Sequence, residues 1–251
     1  MMSNKINFEI INPQIHDKPP IVFLHEGLGC IQSWKSYPKT LCNRLTLKGI
    51  VYDRAGYGLS EGDLSKRKND YLLEAANELY AFLKKMKINK VILYGHSDGG
   101  SIALAFAANY PTQVFCVISE AAHVLNETET VDGIKKALSA FTLGKMKGLS
   151  KWHGNNYKNV FNAWAYTWLN PNFDLISLKK LLSKIIANQL IIQGKNDQYG
   201  TIKQVKTIQS LTHGESTILI PNCAHAPFLE AETEVLETVI KFITLEIDGN
   251  T

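Results

Sequence analysis

The stretch Lys90-Val91-Ile92-Leu93-Tyr94-Gly95-His96-Ser97-Asp98-Gly99-Gly100-Ser101-Ile102-Ala103 decides how the chain folds. An apolar run over 90–94 leads straight into a serine bracketed by glycines. A small-residue apolar segment over 101–109 follows and stops at Tyr110-Pro111, since the residue before a proline disfavours helix. The order is strand, tight turn, helix, with G-x-S-x-G at the turn. In that setting the serine is held in strained backbone, and its flanking glycines let strand and helix approach closely. The helix N-terminus turns its N–H groups toward a developing negative charge. Ser97 is therefore the candidate nucleophile. A second match, Gly58-Leu59-Ser60-Glu61-Gly62, follows a loop and opens no apolar helix, so Ser60 is read as a turn residue.

Further apolar runs lie on either side, at 21–24, 49–52, 114–118, 189–192 and 217–220. Runs this apolar suit strands buried on both faces of a parallel sheet. Between them, 69–86 and 230–246 carry apolar residues at spacings of three and four, which predicts helices. Strand alternating with helix implies an α/β fold, a doubly wound and mostly parallel sheet. The rhythm breaks between 123 and 178, which has helical patterns, three of the four tryptophans and no apolar strand. This predicts a core of 1–122 and 179–251 with a helical cap insertion over 123–178.

A serine hydroxyl needs a base, and the base needs an orienting acid. His225 lies between the last strand and the last helix, and Asp197 follows the strand at 189–192, so both fall at strand ends, where open α/β sheets bind ligands. The chain order Ser97, Asp197, His225 is that of a nucleophile-elbow site. His25 and His96 are read as structural. His123 follows a strand and is a candidate pocket residue, while His16, His153 and His213 give no signal.

His25-Glu26-Gly27-Leu28-Gly29, Asp53 to Ser60, Gly95 to Gly100 and the Asp197 and His225 loops together resemble the α/β-hydrolase superfamily. The resemblance implies that Ser97 is nucleophile, His225 general base and then acid, and Asp197 its orienting carboxylate. It implies an oxyanion hole made by the backbone N–H groups of Asp98 and Gly27, with Leu28 in place of Gly27 if the loop register shifts by one. Glu26 departs from the family's usual glycine, and its charge would oppose an oxyanion unless it is paired or turned away. The implied function is a serine hydrolase of carboxylic esters or related acyl bonds. C–C bond hydrolase, cofactor-free haloperoxidase and acyl-carrier-protein-linked methyl esterase activities share the fold, as would a non-catalytic ligand receptor. No metal and no organic cofactor are implied.

Composition narrows the partners. The 251 residues carry a net charge of +4, and 24 of the 27 basic residues are lysine, which disfavours nucleic acid. The excess is local: 133–178 holds six lysines against Asp174 alone. These could steer an acidic substrate or carrier, or simply be a solvated face. Trp152, Trp164 and Trp168 are candidate substrate-lining residues, the alternative being that they pack the cap onto the sheet. Four dispersed cysteines, no leader-like N-terminus and no run near 20 apolar residues predict a cytoplasmic protein without a membrane span.

Overall fold

The apolar runs pair into one sheet. In the computed structural model, which describes residues 5–249, the strands are β1 (Phe8–Ile11), β2 (Ile21–Leu24), β3 (Gly49–Tyr52), β4 (Val91–His96), β5 (Val114–Glu120), β6 (Gln189–Ile192) and β7 (Ser216–Leu219). They lie in the order β1-β3-β2-β4-β5-β6-β7, parallel except that β1 runs antiparallel to β3. The helices are α1 (Tyr37–Leu45), α2 (Tyr71–Lys85), α3 (Asp98–Asn109), α4 (Thr128–Thr142), α5 (Ser150–His153), α6 (Tyr157–Trp168), α7 (Leu175–Leu181), α8 (Ile202–Leu211), α9 (Pro227–Glu230) and α10 (Glu232–Gly249). The α/β, doubly wound, mostly parallel sheet read from the sequence is present.

Successive strand residues point to opposite faces, which builds two cores. Val22, Leu24, Val91 and Leu93 pack under α2 and α3, while Ile21, Phe23, Ile92 and Tyr94 pack against α1 and α10. The strand order reverses direction beside β2 and β4, and the loops leaving their carboxyl ends meet there.

The observed elements depart from the expected ones in several places. The tight turn after β4 is shorter than the G-x-S-x-G stretch: the strand runs through His96 and α3 starts at Asp98, leaving Ser97 alone between them. β7 is one residue out of the expected register and is an edge strand with Thr217 and Ile218 exposed, so it is not buried on both faces. β1 is also an edge, and its mixed Phe8-Glu9-Ile10-Ile11 pattern gave no apolar run. The helix expected over 230–246 is two, α9 and α10, separated at Ala231. From 121 to 188 the chain has no strand and forms α4 to α7; α7 continues past 178, with Leu178 and Leu182 buried. No helix among the described residues is long and apolar enough to cross a membrane.

Candidate active site

Ser97 is the single residue between β4 and α3. Its φ of 54° and ψ of −117° place a non-glycine residue in a sparsely populated region. The surroundings hold it there: Ser97 N–H donates to the Glu120 carbonyl (2.8 Å) and Ser101 N–H to the Ser97 carbonyl (3.0 Å). The neighbouring glycines are steric requirements. A Cβ at Gly95 would lie 2.1 Å from the Gly99 carbonyl oxygen, and one at Gly99 would lie 1.9 Å from that of Leu24.

Two further loops deliver the partners. The loop after β6 and the loop after β7 are zipped together, Lys195 N–H to Pro221 O and Asn196 N–H to Cys223 O, both 2.9 Å. Gly194 permits this, since a Cβ there would meet the Ala224 carbonyl at 1.9 Å. The result is a continuous chain: Ser97 Oγ lies 2.9 Å from His225 Nε2, and His225 Nδ1 lies 2.9 and 2.8 Å from the two Asp197 carboxylate oxygens. Asp197 also accepts from Tyr199 N–H (2.8 Å) and Gln193 Nε2–H (2.7 Å). Burial pushes the Asp197 carboxyl up, but His225 facing it and the Tyr199 N–H outweigh this and leave it below the ordinary carboxylate range.

The loop after β2 packs beside the start of α3. Gly27 stands beside Asp98, since a Cβ there would be 3.2 Å from Asp98 Cγ and would collide with Trp164. Asp98 opens α3, so its N–H belongs to the unpaired first turn of that helix. The Leu28 carbonyl accepts from His153 Nε2–H (2.9 Å). Glu26 is paired: Ser33 Oγ–H donates to its carboxylate (3.2 Å) and His96 Nδ1 lies 3.9 Å away. Burial alone would raise Glu26, yet His96 draws it down to about 2. Burial opposes the His96 charge, but Glu26 and Glu120 raise it to about 9. His25 is structural as expected, donating from Nδ1 to Glu26 O (2.8 Å) and accepting Arg54 N–H at Nε2 (3.1 Å). Burial and Arg54 hold it well below the ordinary histidine range.

Ser97, Asp98, His123, Trp164, Trp168 and His225 surround a cavity of about 20 Å³, room for about one water, which Tyr199, Thr130 and Ile134 complete. His123 is buried and donates from Nε2 to Tyr199 O (3.0 Å). Trp168 Nε1–H donates to Asp98 Oδ1 (3.1 Å) and to Tyr71 Oη (3.0 Å), and Tyr71 O–H donates to Asp98 Oδ2 (2.6 Å). Arg54 adds an ion pair to the same carboxylate at 3.5 Å. Trp152 is not brought here: it is half-buried and packs with the core under α2 and α3. Ser60 is a turn residue, donating to Asp53 O (2.7 Å) and accepting Asn7 N–H (2.8 Å).

A family model described as the alpha/beta hydrolase fold matches residues 19–177. The chain belongs to the alpha/beta hydrolase family. Among its relatives is ethanol acetyltransferase 1 of Eremothecium cymbalariae, 32% identical over 42% of this chain. The match spans only 29% of that relative's length. Monoacylglycerol lipase abhd6-A of Xenopus laevis is 22% identical over 91% of this chain and 76% of its own. A thermophilic esterase from Thermogutta terrifontis shares the fold with a TM-score of 0.73 at 17% identity, over 97% of this chain and 94% of the esterase.

Several contacts that hold the site of this alpha/beta hydrolase were not read from the sequence. Glu230 brackets His225 by accepting Ala224 N–H (2.7 Å) and Ala226 N–H (2.9 Å). His96 Nε2–H donates to the His225 carbonyl (2.7 Å). Glu120 accepts from Phe228 N–H (2.9 Å) and Tyr94 O–H (2.7 Å). Glu230, four residues after Ala226 at the start of a proline-led helix, had a sequence signal, the acid that reaches back to cap a helix. His153 had none, yet it joins two loops, accepting Gly58 N–H at Nδ1 (2.9 Å) while bonding Leu28 O.

Proposed function

We propose that this alpha/beta hydrolase is a serine hydrolase that cleaves a carboxylic ester or related acyl bond through an acyl-enzyme on Ser97. The observation that carries this reading is the unbroken hydrogen-bonded chain from Ser97 Oγ through His225 to Asp197, at a strained strand–helix turn. His225 Nε2 takes the Ser97 proton as Oγ attacks the carbonyl carbon. The tetrahedral oxyanion is met by the backbone N–H groups of Asp98 and Gly27, with Leu28 as the alternative second donor. Collapse breaks the C–O bond, and His225 returns the proton to the departing alcohol. Water then repeats the sequence and releases the acid. Asp197 holds the imidazole tautomer and stabilises the imidazolium without taking the proton.

The names of the relatives support this, a lipase and an acetyltransferase both being acyl-transfer enzymes. We place 123–178 as the cap over the nucleophile. Its lysines 135, 136, 145, 147, 151 and 158 are exposed, which supports an acidic substrate or carrier. The four buried free cysteines suit a reducing compartment such as the cytoplasm.

The test is turnover of p-nitrophenyl acetate, with fluorophosphonate labelling of the folded protein. Wild type is expected to hydrolyse the ester and take the label at Ser97, and Ser97→Ala to do neither. Unlabelled, folded wild type would sink the reading and leave a ligand receptor on a hydrolase scaffold.

A further inference from the structure

The β4–α3 turn and the loop after β2 share one buried cation. Arg54 is 4% exposed and reaches both. Its Nη2–H donates to the Glu26 carbonyl at 2.8 Å, and the same nitrogen pairs with the Asp98 carboxylate at 3.5 Å. The guanidinium is seated 4.5 Å over the Tyr57 ring, which fixes the plane of its fork. Its Nε is buried with no partner among the described residues. A buried charge with a donor unmet adds little to stability.

The Glu26 carbonyl is the centre of the arrangement. It accepts three hydrogen bonds: from Arg54 Nη2, from His25 Nδ1 at 2.8 Å and from the Gly29 N–H at 3.1 Å. His25 is kept in the donating form because its Nε2 accepts the Arg54 N–H at 3.1 Å. The Glu26 carbonyl and the Gly27 N–H belong to one planar peptide unit, and the described chain has no cis peptide. In a trans unit the two groups point opposite ways. A carbonyl drawn to one side by three donors therefore turns the Gly27 N–H to the other. A cationic donor on the carbonyl also polarises the unit and strengthens its N–H as a donor. Gly27 is buried, and its N–H makes no hydrogen bond to the described residues. Its Cα stands against Trp164 and Asp98, both of which line the cavity at Ser97.

The other expected donor has a different difficulty. Asp98 brings a carboxylate within one residue of the nucleophile, where negative charge opposes an oxyanion. Tyr71 O–H and Trp168 Nε1–H hydrogen-bond that carboxylate, and Arg54 is the cation paired with it. We propose that Arg54 is a positioning residue for the oxyanion hole. It aims and polarises the Gly27 N–H through the Glu26 carbonyl, and it neutralises the Asp98 carboxylate beside the second donor. Arg54 touches no reacting atom. This role rests on the acyl-enzyme at Ser97, and it makes Gly27 rather than Leu28 the donor from its loop.

The experiment compares p-nitrophenyl acetate with O-p-nitrophenyl thionoacetate, in which sulfur replaces the carbonyl oxygen. Sulfur is larger and a weaker acceptor, so the oxygen-to-sulfur ratio of kcat/KM reads the oxyanion donors. Damage elsewhere lowers both substrates alike and leaves the ratio unmoved. In Arg54→Met, kcat for the oxygen ester is expected to fall by about 10²-fold, with KM within about twofold. The ratio is expected to fall by about tenfold. Arg54→Lys keeps the charge without the fork, and its ratio is expected to lie between the two. Folded wild type that takes no fluorophosphonate label overturns the acyl-enzyme and this role together. Labelled wild type, with the ratio unchanged in Arg54→Met, overturns this role alone. If Arg54→Met does not fold, Arg54→Lys carries the test, and a wild-type ratio there overturns the role equally.

Discussion

His96 lies between two carboxylates, and its position ties the pH response of the fold to the base at the site. Raised to about 9 from an ordinary 6.5, it adds stability that is complete below 6.5 and lost as pH climbs through about 9. Glu26 works from the other side: lowered to about 2 from 4.5, its contribution is present above 4.5 and lost as pH falls through about 2. Asp197, also lowered, has the same sign as Glu26, whereas burial raises Glu120 and gives it the opposite sign. Melting temperature is therefore expected to fall between pH 7 and 9. In His96→Gln that alkaline limb should flatten, and a limb of unchanged slope would assign the loss to other groups. At the same scale, Asp197→Asn leaves the hydrogen-bond geometry but removes the charge behind His225. It is expected to lower kcat for p-nitrophenyl acetate by about 10³- to 10⁴-fold with little change in KM.

At the scale of the element, the β4–α3 turn is the least forgiving part of the fold. Gly99→Ala would drive a methyl group to 1.9 Å from the Leu24 carbonyl, a backbone atom that cannot step aside. A loss of about 2–5 kcal/mol in urea denaturation is expected. A loss below about 1 kcal/mol would show that β2 and α3 can part. This turn was also the most legible part of the sequence. Strand, G-x-S-x-G and helix are local signals, and Asp197 and His225 could be ordered behind them because each directly follows an apolar strand. The edge strand β1 was harder, since a strand paired on one side needs no uniform apolar run, whereas β7 was read to within one residue. Helices α1 and α8 carry few apolar residues on a polar background and went unseen. The partners of Glu120, His96 and His153 were beyond reach for another reason. Their partners are 108, 129 and 125 residues away along the chain, and no periodicity encodes such a pairing. Trp152 lies off the cavity at Ser97, and an aromatic in 123–178 reads alike in the sequence whether it faces a pocket or packs inward.

Across the whole molecule, residues 123–178, the proposed cap, meet the sheet so closely that the space at Ser97 is about 20 Å³. With the cap as it stands, short acyl groups should be favoured. kcat/KM is expected to fall steeply from p-nitrophenyl acetate to the octanoate, and a flat series would mean the cap yields freely. The exposed cap lysines predict that kcat/KM for an anionic ester drops as salt is raised, with a neutral ester unaffected. What holds the cap down is partly a latch at its far end. His153 bonds both Gly58 N–H and Leu28 O, and Asn156 Nδ2–H bonds Gly56 O at 3.0 Å. We read these three bonds as a latch: at about 1 kcal/mol each, they would favour a shut form over an open one by on the order of 10². Substrate would then meet an open molecule only a small part of the time, and apparent affinity would be diluted by that fraction. Asn156→Ala, which removes one of the three, should therefore bind substrate better than the native chain, with KM lowered by up to about fivefold. On this reading, native affinity would depend on how many molecules are open, as well as on how well each one fits its substrate.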